Sequence, residues 1–93
     1  MNIEVQTEIF RVLLEKESLL KYNFKFQILR SETQDILVKI KELRDYGHYK
    51  SWGILNSWRI KKDDITTVDQ VTVVINCIWK EVSDEYKIMR HKN

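Results

Sequence analysis

A chain of 93 residues with no proline and only two glycines, Gly47 and Gly53, has few places at which it can reverse sharply. Proline and glycine supply the preset or positive φ angles of tight turns, so their scarcity favours a few long elements and weighs against a many-stranded sheet. The length makes one domain, 1–93, near the lower end of what folds alone, where roughly 60% of the unfolded chain's surface is buried. With 43% apolar residues, the chain has material for an ordinary core and lacks the composition of disorder.

From Ile3 to about Lys21 the apolar positions Val5, Ile9, Val12, Leu13, Leu19 and Leu20 recur at three- and four-residue steps, which predicts an amphipathic helix. In Tyr22–Leu29, Phe24, Phe26 and Ile28 alternate with polar residues as in a half-buried strand, while Leu20, Phe24 and Ile28 also suit a continuing helix. With no Asn-Gly type of turn beside the segment to hold a hairpin, the reading goes to helix.

Ser31-Glu-Thr-Gln34 has the form of a capping box, and a new helix is predicted from it. Ile36, Leu37, Ile40 and Leu43 form its apolar stripe, Asp35 and Lys39 are spaced as an i,i+4 pair, and Gly47 is placed to end it in the left-handed conformation. Beyond Ser51, Trp52, Leu55 and Trp58 share one face of a short helix, or Trp58 and Ile60 alternate in a strand. Gly53 weakens that helix by up to about 1 kcal/mol relative to alanine, so packed indoles would have to hold it.

After a polar connection, Thr67-Val-Asp-Gln70 repeats the capping-box form. Val68, Val71, Ile75, Ile78, Val82, Tyr86 and Met89 then keep helical steps, in spite of the β-branched run Val71–Ile75. Val73, Val74, Cys77 and Trp79 add apolar surface outside that stripe, so the helix is either central or shared with a partner chain. Arg90-His-Lys-Asn93 is a basic tail. The expected fold is mostly α: a single small domain of three to four helices with a long amphipathic C-terminal helix. The alternative is α+β with a short two-stranded element built from segments near 24–29 and 57–61.

Several chemistries are set aside. The two glycines fit neither a Walker-type nor a dinucleotide-type phosphate loop. A single cysteine allows no internal disulfide or cysteine-pair zinc site, and His48 and His91 lie far apart in sequence. Cys77 reads as a small core hydrophobe and Asp63-Asp64 as solvated loop acids. His48 has Asp45 three residues earlier, the arrangement of a base with an orienting carboxylate, but a contact with a helix C-terminus explains it more simply. A helix-turn-helix around Gly47 is rejected because Leu43, His48, Gly53 and Asn56 depart from its pattern. No cofactor, metal or catalytic residue is expected, and the chain does not read as an enzyme. The N-terminus lacks a signal-peptide pattern, no stretch approaches the roughly eighteen apolar residues of a membrane span, and the lone cysteine suits a reducing compartment, so a cytoplasmic protein is expected.

Sixteen basic against fourteen acidic residues leave a net charge of +2, too little to imply a polyanionic partner without clustering. The distribution is uneven: residues 46–62 contain no acid, four Lys or Arg, two tryptophans, two tyrosines and both glycines. The leading functional expectation is a non-enzymatic protein-binding module, a regulator or inhibitor of a larger protein, with self-association through the C-terminal helix as part of it. The second is single-stranded nucleic-acid binding through residues 48–62. Lys50, Trp58, Arg59, Lys61 and Lys62 are the candidate contacts for either partner. The Ile-, Lys- and Asn-rich composition is compatible with an AT-rich bacterial or phage genome.

Overall fold

The computed structural model describes residues 2–90. Two helices enclose three strands in the order α1 (Ile3–Glu17), β1 (Phe24–Arg30), β2 (Ile36–Asp45), β3 (Lys50–Ile60) and α2 (Val68–Glu85). The strands form one antiparallel sheet in the order β1-β2-β3. With 37% helix against 34% strand the fold is α+β, which overturns the mostly α expectation and the helical bundle with it. The alternative had the class right but placed two strands where there are three.

Both helices form where the periodicity places them, although α1 stops at Glu17 rather than near Lys21 and α2 stops at Glu85, with Tyr86 extended and Met89 in a β-bridge with Leu20. The Asn2 side chain caps α1 by accepting from the Val5 amide at 2.8 Å. Gln70 Oε1 takes the amides of Thr66 and Thr67, at 2.8 and 3.3 Å, ahead of α2. Val5, Ile9, Val12 and Leu13 of α1 and Val71, Ile75, Ile78 and Val82 of α2 are buried.

The central strand β2 is the segment predicted as helix. Ile36, Leu37, Ile40 and Leu43 do fall at helical steps, but Ile36, Val38 and Ile40 also alternate, and these three are fully buried. A helix would leave Val38 off the apolar stripe. A strand buries it, and pairing on both sides of β2 satisfies its backbone. Ser31 still hydrogen-bonds locally, yet within a hairpin loop: its hydroxyl accepts from the Asp35 amide at 3.1 Å, and Gln34 takes a positive φ of 68° to close the turn. Gly47 has the expected positive φ, 85°, but at the β2–β3 hairpin rather than a helix end. There the Tyr46 amide donates to the Tyr49 carbonyl at 2.9 Å, leaving Gly47 and His48 as the two central residues.

The core lies between one face of the sheet and the helices, where Phe26, Ile36, Val38, Ile40 and Ile60 meet the buried residues of α1 and α2. The chain end closes this layer: the Lys21 amide donates to the Ile88 carbonyl at 2.8 Å, and the Arg90 amide to Leu19 at 2.9 Å. Residues 91–93 of the basic tail lie outside the described residues. Among the described residues, no helix is long and apolar enough to cross a membrane.

Candidate functional site

With both helices on one side, the other side of the sheet is uncovered among the described residues. Alternation along β2 sends Leu37, Lys39, Lys41 and Leu43 to that open face, opposite the buried Ile36, Val38 and Ile40. Their cross-strand partners complete it. Lys25 and Ile54 flank Lys41, Gln27 and Ser57 flank Lys39, Leu29 and Arg59 flank Leu37, and Trp52 lies opposite Leu43.

The pairing of β2 with β3 shifts by one residue between Ile40 and Lys41: Ile40 faces Asn56, but Lys41 faces Ile54, so Leu55 is an extra, bulged residue. A one-residue shift reverses the side to which every later side chain points. Trp58 and Ile60 therefore face the helices, whereas Trp52 and Ile54 face outward. Ile54 is 51% exposed, while Trp52 is half-buried beneath Lys25, whose ammonium lies 4.3 Å from the indole centroid.

Charge is segregated between the two layers. The helices carry eight carboxylates and three cations, and the strands carry seven cations and two carboxylates. On the open face itself the four rows from Leu37 to Leu43 carry Lys25, Lys39, Lys41 and Arg59 and no acid, while the last row, at the hairpin end, pairs Asp45 with Lys50. Lys25 stands directly opposite Lys41, a like-charge pairing that disfavours the sheet by itself. Among the described residues, no carboxylate forms an ion pair with Lys25, Lys39 or Lys41.

Arg59 is the exception. Its guanidinium is 3.2 Å from Asp35, a residue only 8% exposed at the end of the β1–β2 loop. The Lys62 amide donates to the other Asp35 oxygen at 3.0 Å and, with Thr33 and Arg59, holds that carboxyl below the usual aspartate range. Asp35 is thus a fastener between two loops, and the pairing expected with Lys39 does not form.

Side chains occupy part of each edge of the sheet. On β1, Glu17 accepts from the Phe26 amide at 2.9 Å. On β3, Asn56 Oδ1 accepts from the Ser57 amide at 2.8 Å, and the Tyr86 hydroxyl donates to the Leu55 carbonyl at 3.3 Å. Burial, with Glu85 and Glu42 nearby, pushes the Tyr86 phenol upward, so it remains a donor. These bonds use edge groups that an added strand would need.

The five contacts expected from sequence are not brought together. Lys50 is on the open face in line with Trp52, opposite Asp45 at the hairpin end, and Trp58 turns inward with its indole nitrogen 3.2 Å from Glu81. Arg59 is on the open face, and Lys61 and Lys62 share a tight turn with Asp64, whose carboxylate accepts from the Lys61 amide at 3.0 Å. Trp52, expected in the core with Leu55, is on the open face instead. His48 is at an exposed hairpin tip with no helix end beside it, and Asp45 spends its carboxylate on the Gly47 amide at 2.9 Å. Cys77 is exposed rather than a core residue. It borders a groove of about 320 Å³ between β3 and α2, lined also by Trp58, Ile60, Val73, Val74 and Glu81. Among the described residues, no three His, Cys, Asp or Glu side chains gather as a metal site would require.

No protein-family model, curated protein or solved structure matches the chain.

Proposed function

We propose that this protein is a non-enzymatic binding module whose working surface is the open face of the sheet and whose partner is an anionic macromolecule. The observation that supports it is the set Lys25, Lys39, Lys41 and Arg59 in four successive rows without a carboxylate, Asp45 standing only in the end row against Lys50, in a chain whose net charge is only +2. Folding gains nothing from holding Lys25 against Lys41. A polyanion laid across the sheet turns that repulsion into attraction, and the acidic helix layer orients its approach. The expectation of a protein-binding module and that of a nucleic-acid binder meet on this face, since an acidic protein and a nucleic acid both present the required charge.

Titration with heparin, poly-L-glutamate and a single-stranded oligonucleotide at low salt tests the proposal. At least one binds, and Lys39→Glu with Lys41→Glu abolishes binding while Lys61→Ala with Lys62→Ala leaves most of it. Failure of all three probes to bind removes the proposal.

A second reading, self-association through α2, is supported by Val73, which is 64% exposed, and by the apolar groove beside it. The four carboxylates of α2 oppose the approach of a second copy. A strict monomer by light scattering at high concentration removes this reading.

A further inference from the structure

We infer that the anion held on the open face is a single-stranded nucleic acid, its phosphates on Lys25, Lys39 and Lys41 and one base stacked on Trp52. This rests on the anion-docking reading above and names the partner class for the same surface.

Three observations separate nucleic acid from an acidic protein. The first is clustering of charge: protein surfaces mix both signs, whereas the four rows from Leu37 to Leu43 offer cations alone, with Asp45 set apart at the hairpin end against Lys50, the complement of a polymer with one anion per repeat. The second is the position of Trp52. Lys25 lies over its ring in the free protein, and Lys41 stands directly across from Lys25. Moving the Lys25 ammonium onto a phosphate frees the ring face for a base, so one displacement makes both contacts. The third is spacing. Lys39 and Lys41 are two residues apart on one strand, about 6.7 Å, a step that an extended nucleotide backbone covers between successive phosphates.

The bulge at Leu55 adds to this by turning Trp52 and Ile54 outward together, which sets an aromatic and an aliphatic side chain beside the lysines. In a duplex the base faces are stacked on one another and out of reach of a flat sheet, so an unpaired strand is the fitting form.

The test is fluorescence anisotropy with labelled decauridylate and decathymidylate, an unlabelled duplex of equal length, heparin, and vesicles containing phosphatidylserine, using the full chain. The logarithm of affinity is expected to fall against the logarithm of salt with a slope of about −2 to −3, at roughly 0.7 per contacted phosphate. Trp52→Leu, which keeps an apolar side chain on the hairpin, weakens single-strand binding by about five- to a hundredfold and leaves heparin binding unchanged. Lys25→Gln lowers the salt slope by just under one. If duplex, heparin or vesicles bind as tightly as the single strands, or if Trp52→Leu has no effect on single strands, the nucleic-acid assignment fails while anion docking stands. If no polyanion binds, both fail.

Discussion

Trp52 and Trp58 lie six residues apart on β3 and point to opposite sides of the sheet, because the bulge at Leu55 adds one residue between them. Simple alternation would have put both on the same side. The bulge thus sends one indole to support the core and the other to the open, lysine-rich face. The two positions should respond differently to truncation. Trp58→Ala removes packing against the core and the bond to Glu81 and is expected to cost about 2–3 kcal/mol in urea denaturation. Trp52→Ala is expected to cost less than about 1 kcal/mol. Equal losses would contradict this division.

Asp35 sets an acid limb on stability. Its carboxyl is held below the ordinary range, chiefly by the Lys62 amide, so the stabilisation is present above the unfolded-state pKa and is lost as pH falls through the folded-state value. Thermal unfolding of wild type is expected to weaken on acidification through that window. Asp35→Asn should be less stable at neutral pH and show a flatter acid limb. A variant that follows the wild-type pH profile would show that Asp35 does not fasten the loops.

The side-chain bonds at the sheet edges should matter for solubility. Glu17→Ala leaves the Phe26 amide at the edge of β1 without its carboxylate partner. It is expected to destabilise by about 1–2 kcal/mol and to raise aggregation in a light-scattering time course at 37 °C. An unchanged aggregation rate would mean that the edge bond has no protective role.

Gln34 is the one described residue other than glycine with a positive φ, 68°. Left-handed backbone costs a residue bearing Cβ roughly 1 kcal/mol. Gln34→Gly is expected to raise the denaturation midpoint slightly or leave it unchanged, the relief being offset by greater freedom of the unfolded chain. A clear loss of stability would show that the Gln34 side chain itself contributes.

The two helices were legible because each repeats its period over several turns, and α2 also begins at a recognisable capping box. Gly47 announced its backbone conformation but not its context: Gly47-His48 between two tyrosines also fits a two-residue hairpin with glycine first, a signal as strong as the helix end inferred from it. β2 was misread because its sequence satisfies both periods, and only the partners on either side decide between them. The bulge left no mark in sequence, so the outward turn of Trp52 could not be foreseen. The candidate site was obscured for a related reason. Residues 46–62 form one acid-free run, but a run along a strand divides between two faces, whereas Lys25 on one strand and Lys39 and Lys41 on another meet only through strand pairing.

The most direct measurement is a nitrogen–proton NMR titration of the full chain with decauridylate at low salt, reading the three indole N–H signals. The Trp52 signal is expected to shift, together with the amides of Lys25, Lys39 and Lys41, while Trp58 and Trp79 on the helix side stay in place. A shift at Trp58 or Trp79 with Trp52 unmoved would place the partner on the other side of the molecule and contradict the open face as the working surface.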